Sequence, residues 1–333
     1  MRNRLLISVA VSFVWAASCH EPNEVVDVQR PRVSLTVSNL PRLGPGEGNY
    51  ELWGKFVIFD RPDQIHAPQH DSTAISLGAF NVNEDGTGVV GVDGGPALFT
   101  VPLDQNPQLL DIVMISVQQA DSSELGSVFL AGRVVGDATV GEAALDVSHA
   151  AALGSTFSNV SGEYTIIAPT SPADSNSGIW FVERQGSPVG IGLRNLPPLP
   201  DEWTYEGWVV QSISREGSPP IVNYFSTGKF LRADSADFDG AGQGSGPGAG
   251  FNFPGQDFIN AIPPGFPARP DLRLWAVMIT VEPVPDNSPL PSSLRLLSTP
   301  QPVVPLPQGQ TLLMNNVSST LPQARFRIVR SGY

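Results

Sequence analysis

Asn39-Leu40-Pro41-Arg42-Leu43 followed by Tyr50-Glu51-Leu52-Trp53 returns as Asn195-Leu196-Pro197-Pro198-Leu199 followed by Tyr205-Glu206-Gly207-Trp208. The two copies lie 155 to 156 residues apart in a chain of 333. Solenoid units repeat every ~20–50 residues, so a period this long indicates a duplicated domain. The surroundings repeat too. Ser76-Leu77-Gly78-Ala79-Phe80 has its counterpart in Phe225-Ser226-Thr227-Gly228-Lys229-Phe230. Val113-Met114-Ile115-Ser116-Val117 has its own in Val277-Met278-Ile279-Thr280-Val281. These elements recur in one order, as duplication requires.

The local pattern is that of strands. Val33, Leu35 and Val37 alternate with Ser34 and Thr36, a half-buried strand. Tyr50 to Phe59 carries apolar residues on both faces, and Ile112 to Val117 is apolar enough to be central in its sheet. In the second half Tyr205 to Gln211 and Ile221 to Phe225 read as strands. Pro41 and Pro197 stand where each chain leaves its sheet, which suits a residue that cannot donate to a ladder. With 33 Gly and 32 Pro, long helices are excluded. One short helix is expected over Glu142 to Leu153, rich in Ala and followed by Gly154 as a C-cap. Short strands with closely spaced turn signals argue for sandwiches. The fold expected is all-β, with two tandem Ig-like antiparallel β-sandwich domains related by internal duplication. The first spans 31–168 and the second 179–333, joined by a linker over 169–178. A hairpin between Tyr164 to Ala168 and Ile179 to Glu183 is the other reading of that joint.

The N-terminal segment speaks to location. Arg2 and Arg4 precede an apolar run from Leu5 to Trp15, then Ala16-Ala17-Ser18 and Cys19, the single cysteine. Basic start, apolar core and small-residue exit mark a secretory signal. With Cys19 next, residues 1–18 resemble a bacterial lipoprotein signal, which implies that Cys19 is the lipidation site. Ala16 departs from the Leu usual at that place. Residues 19–30 form a polar tether, and an extracytoplasmic, membrane-anchored protein, periplasmic or cell-surface, is expected. His20 is not the Asp associated with inner-membrane retention, which points to the outer membrane where one exists. An ordinary cleaved signal with a free thiol is the plainer alternative. A lone cysteine can form no intrachain disulfide, so stability must come from apolar burial.

Charge excludes one class of partner. The net formal charge is −13, and removal of residues 1–18, which hold Arg2, Arg4 and no acid, takes it to −15. Nucleic acid needs clustered Lys and Arg, and Lys occurs only at Lys55 and Lys229. The partners expected are the membrane, through the N-terminal lipid, and an envelope protein. No nucleic acid is expected.

Several motifs carry possible chemistry. His66-Ala67-Pro68-Gln69-His70-Asp71 groups two imidazoles and a carboxylate, but Pro68 breaks the helix that would align them on zinc. Asn81-Val82-Asn83-Glu84-Asp85-Gly86 opens like a calcium loop, yet its twelfth position is Val92 rather than Glu. Asp234 to Gly240, with Asp237 and Asp239, is the equivalent acidic turn, and such turns need no ligand. The glycine-rich run 240–250 lacks the Gly-Lys-Ser/Thr ending of a phosphate loop. No G-x-S-x-G elbow is present. Neither a metal nor a cofactor is expected, and no catalytic residue is assigned. Tyr50, Trp53, Tyr205 and Trp208 are expected in the two cores rather than on a ligand platform. Trp180, Trp203 and Trp275 lack that cross-check and stand as candidates for exposure.

Asn195 to Pro200 with Tyr205 to Trp208, and Ser226 to Phe230 with Val277 to Pro283, resemble the extracytoplasmic C-terminal domain of anti-sigma-K factors. The resemblance covers 188–290 well and 33–120 less well. It implies β-sandwich modules of a sensing or partner-binding kind. A lipoprotein-like signal stands where those regulators carry a cytoplasmic sigma-binding domain and a membrane span, so sequestration of a sigma factor by this chain is not expected. The reading is a lipid-anchored, non-enzymatic binding, sensing or structural protein. The alternatives are a cell-envelope hydrolase using carboxylates and a calcium-dependent adhesion or assembly module.

Overall fold

Alternating apolar residues and frequent turns leave little room for helix, and among the described residues 46% are strand and 6% helix. It is an all-β protein of several antiparallel sheets. In a computed structural model the described residues are 30–44, 46–57, 73–84, 86, 88–118, 124–184, 189–238, 251–259, 262, 264–286 and 288–330.

Nine strands occupy the first half: β1 (Arg32–Ser38), β2 (Asn49–Phe56), β3 (Ile75–Val82), β4 (Val89–Val90), β5 (Leu110–Gln118), β6 (Ser127–Arg133), β7 (Val135–Gly136), β8 (Val140–Leu145) and β9 (Ser161–Ile166). Then come β10 (Ile179–Trp180), β11 (Val182–Glu183), β12 (Gly190–Ile191), β13 (Leu193–Arg194), β14 (Trp203–Arg215), β15 (Ser218–Phe230) and β16 (Gly255–Gln256). The last are β17 (Ala276–Pro283), β18 (Arg295–Ser298), β19 (Thr311–Asn316) and β20 (Gln323–Val329).

One sheet runs β4-β3-β2-β5-β6 and a second runs β1-β20-β8-β7. Leu52, Phe80 and Ile115 of the first share a core with Leu35, Leu145, Phe326 and Ile328 of the second, a sandwich-like arrangement. The third sheet, β15-β14-β17-β18-β19-β9-β10-β16 with β13 alongside β9, curls into a nearly closed barrel. At its seam the Asp237 carboxylate accepts a bond from the Gly255 amide at 3.0 Å. A Cβ at Gly228 would meet Asp237 Cγ at 2.6 Å, so glycine is required there for close approach.

Sheet membership crosses the middle of the chain twice. β9 lies between β19 on one side and β10 and β13 on the other, all of the second half. β20 lies between β1 and β8, both of the first. The segment 169–178 turns directly from β9 into its antiparallel neighbour β10, so the hairpin reading of that joint holds.

The repeated residues adopt repeated geometry. β2 lies between β3 and β5, and β14 between β15 and β17. Register shifts fall between Leu52 and Trp53 and between Gly207 and Trp208. Tyr50 donates to Pro41 O at 2.9 Å, and Tyr205 to Pro197 O at 2.5 Å. Trp53 Nε1 donates to Ser116 Oγ at 3.0 Å, and Trp208 Nε1 to Thr280 Oγ1 at 2.9 Å. Asn39 and Asn195 share a left-handed backbone, with φ of 57° and 60°. Each prolyl carbonyl thus satisfies a buried phenol, which burial also holds above its usual pKa.

The helix expected over Glu142 to Leu153 is absent. Val140–Leu145 is β8, with Gly141, Ala143 and Leu145 inward and Glu142 and Ala144 outward. Period-two alternation prevails over the helix propensity of alanine because the inward side chains reach the core. Trp180, Trp203 and Trp275, the candidates for exposure, are all buried. Trp180 Nε1 donates to Asp257 Oδ1 at 3.2 Å, Trp203 Nε1 to Val128 O at 3.2 Å, and Trp275 stacks on Phe225. An indole is buried where its N–H finds a partner or its ring a stack.

Phe326 fills the first body from a strand that reaches it out of the second. Phe326→Ala is expected to cost about 3–5 kcal/mol in urea unfolding. Amide exchange is expected to speed up in β14 as well as in β1; acceleration confined to β1 would mean that the halves unfold independently.

Candidate functional site

A cleft of about 720 Å³ opens between the two halves. Its first wall is the repeated motif, Pro41 to Leu43, with Leu125 and Gly126 of the β5–β6 connection. Its second wall is the loop after β17, including Pro285, Leu290 and Pro291. Trp203 bridges the walls: its ring lines the cleft while its Nε1 donates to Val128 O of β6. Val284 N donates to Glu202 O at 2.8 Å and holds the second wall to the start of β14.

The second wall is held by charge. Glu206 on β14 stands opposite Thr280 of β17 and Lys229 of β15. Lys229 Nζ donates to Asp286 Oδ2 at 2.9 Å and lies 3.8 Å from Glu206 Oε2. Ser226 Oγ donates to Glu206 Oε1 at 2.5 Å. Glu282, 1% exposed, accepts the Ser292 amide on both oxygens, at 2.9 and 3.1 Å, and the Thr280 hydroxyl. The loop is therefore tied down at Asp286 and again at Ser292.

Burial pushes the Glu282 carboxyl up to about 8; bonds from Thr280 and Ser292 oppose the rise, and the charges of Glu206 and Asp286 add to it. Burial works against the charge of Lys229, but the Asp286 bond and the carboxylates of Glu206, Asp286 and Glu282 raise its pKa above the usual value.

The first half has neither a buried acid nor a lysine at the equivalent places. Two residues after the hydroxyl that meets each tryptophan, Gln118 stands where Glu282 does, and its side-chain amide donates to Glu124 O in the facing loop. Ala79 stands where Lys229 does. The cleft mouth is acidic and partly apolar. Glu47, Glu124 and Glu202 line it, Arg42 is paired with Glu84 at 3.0 Å, and Leu125 and Leu290 are 41% and 48% exposed.

The motifs singled out in sequence do not assemble into this site. Tyr50, Trp53, Tyr205 and Trp208 are buried, as expected; only Tyr50 also touches the cleft. The Asn81 carboxamide accepts from Leu43 N and donates to Leu43 O, both at 3.0 Å, which staples the first wall to β3. Asn83 Oδ1 accepts from Gly88 N at 2.9 Å, and Glu84 is the partner of Arg42. In the described part of the calcium-like opening, the Asn81 and Asn83 side chains thus hold backbone. Asp234 pairs with Arg232, and Asp237 closes the barrel seam. Among the described residues no group of three or more His, Cys, Asp or Glu is placed to hold a metal. Cys19, His66, His70, Asp71, Asp85, Asp239 and the run 240–250 lie outside the described residues.

Sequence reasoning missed the cluster of Glu206, Lys229, Glu282 and Asp286. A signal existed: the chain has two lysines and both stand in strand-like runs, Lys229 between Gly228 and Phe230, a place that charge enters only with a partner. Comparison with family models, curated proteins and solved structures finds no match to this chain.

Because the folded pKa of Glu282 lies above the ordinary 4.5, the folded state holds that proton more tightly than the unfolded chain. Its contribution is complete below about 4.5 and is lost as pH rises through about 8. Thermal unfolding is expected to show a loss on the order of 2–4 kcal/mol across that window. Glu282→Gln, which places the residue of the first half in the second, is expected to flatten the profile. An unchanged profile would remove Glu282 as its source.

Proposed function

We propose that the protein is a lipid-anchored, extracytoplasmic, non-enzymatic binding or sensing protein whose two β-sheet halves descend from tandem copies of one unit. The cleft between them is the binding site. The single observation that carries this reading is the cleft itself, walled by equivalent connections of both halves: β5–β6 on one side and β17–β18 on the other. Duplication is supported by the matching Tyr-to-Pro and Trp-to-hydroxyl bonds. Anchoring is supported by the basic start, apolar core and Ala16-Ala17-Ser18-Cys19 of the leader.

The occupant with the best fit is a cationic segment with apolar flanks, presented by another envelope protein. Glu47, Glu124 and Glu202 supply the complementary sign, and Leu125 and Leu290 the apolar contact. The resemblance to the outer domains of anti-sigma-K factors agrees with a sensing role that uses no sigma-binding domain of its own. Hydrolysis by carboxylates is the competing reading, since Glu282 has a raised pKa at the cleft. Its bonds to Ser292 and Thr280, and that of Asp286 to Lys229, commit both groups to the fold, which favours binding.

A photoreactive residue at Leu290 is expected to capture a defined partner in intact cells, and one at Leu98, exposed and outside the cleft, is not. Glu202→Arg combined with Leu125→Arg is expected to reduce capture at least tenfold. Equal capture at both positions would sink the cleft as the site. Cys19→Ser is expected to move the protein from the membrane to the soluble fraction; continued sedimentation with membranes would sink the anchor.

A further inference from the structure

The two halves trade their last strands. In sequence, β9 ends the first half and β20 the second, yet β9 is hydrogen-bonded into the barrel and β20 into the sheet that begins with β1. The trade is symmetrical in detail. The Asn39 amide donates to Leu321 O, two residues ahead of β20, at 3.5 Å. The Asn195 amide donates to Asn159 O, two residues ahead of β9, at 3.0 Å. Each N-L-P asparagine therefore meets the root of a strand that entered from the other half.

The slot that takes β20 is complete in itself. β1 pairs with it from Arg32↔Val329 to Ser38↔Gln323, and β8 from Val140↔Val329 to Leu145↔Ala324. Ala324, Phe326 and Ile328 face inward and are buried, and Arg330 Nε donates to Pro107 O at 3.0 Å just beyond the strand. Everything β20 touches in that sheet belongs to the first half, while its tether, residues 317–322, springs from β19 in the second. An identical strand from another molecule would find the same ladder on both sides and the same pocket for Phe326. Exchange of an identical element costs no contact, only the advantage of being tethered.

We propose that the slot between β1 and β8 is an acceptor site for the C-terminal strand of a second copy of this chain. The protein then exists as a closed monomer and as a reciprocal strand-exchanged dimer. The inference does not depend on the cleft as a binding site. The closed form is favoured by a tether of effective concentration on the order of mM. The dimer gains where copies are crowded and the strand has been released, as during refolding.

Thr36 and Arg325 face each other across β1 and β20 on the exposed side, so cysteines there report which chain fills the slot. The full chain carrying Cys19→Ser, Thr36→Cys and Arg325→Cys is refolded at ~1 μM, far below the tether's effective concentration, and at ~1 mM, comparable to it, then oxidised and separated by size. The expected result is a monomer with an internal disulfide at low concentration. At high concentration a dimer appears whose chains stay joined on a denaturing gel until reductant is added. Cys19→Ser alone, followed by ultracentrifugation, is expected to give the same dimer fraction, which shows that the introduced thiols do not create it. Monomer alone at ~1 mM in both chains, or a dimer whose chains part without reductant, would overturn the proposal.

Discussion

The backbone amides and carbonyls of β1 and β8 find ladder partners because β20 lies between them, and one edge of β19 finds them in β9. A buried backbone group without a partner costs as much as a lost hydrogen bond, so neither body is complete until the other has supplied a strand. That requirement orders the rest of the molecule. It fixes the two bodies against each other and lets Trp203 of one bond to β6 of the other. It also holds the two loops at the separation that makes a cleft.

Across that cleft the halves hold equivalent loops by different means. Gln118 uses a neutral amide, whereas Glu282 combines a buried carboxyl with the Lys229–Asp286 pair nearby. Taking charges partly out of water consumes much of the attraction such a half-buried pair supplies. The second loop is thereby tied to sheet geometry at two points, Asp286 and Ser292. Asn81 adds a third tie, from β3 to Leu43, so both walls are fastened by polar side chains rather than by apolar contact alone.

Much of this was legible in the residues. Val33 to Val37 and Ile112 to Val117 announce strands through alternation or continuous apolarity, and each lies in one. The run expected from Tyr50 to Phe59 is strand as far as Phe56, and its residues 58 and 59 lie outside the described ones. Tyr50, Trp53, Tyr205 and Trp208 are buried, as their recurrence in both halves of the sequence suggested. Three things were hidden. Glu142 to Leu145 carries helix formers on a strand pattern, and burial of Ala143 and Leu145 decided between them. Trp180, Trp203 and Trp275 gave no periodic hint of burial, since their partners, Asp257, Val128 and Phe225, are distant in sequence or on another strand. The exchange of β9 and β20 was invisible for a similar reason: a strand's own residues state its faces but not whose edges it joins.

The pairing of Arg32 with Val329 brings residues from opposite ends of the chain to neighbouring positions on adjacent strands. A covalent link there would need only a few residues to turn the polypeptide into a ring. The outer part of the β14–β15 hairpin, around Glu216 and Gly217, is exposed and would serve as the place to cut such a ring open again. The same adjacency means that cargo fused behind β20 would emerge beside the start of β1 rather than at the far side of that sheet.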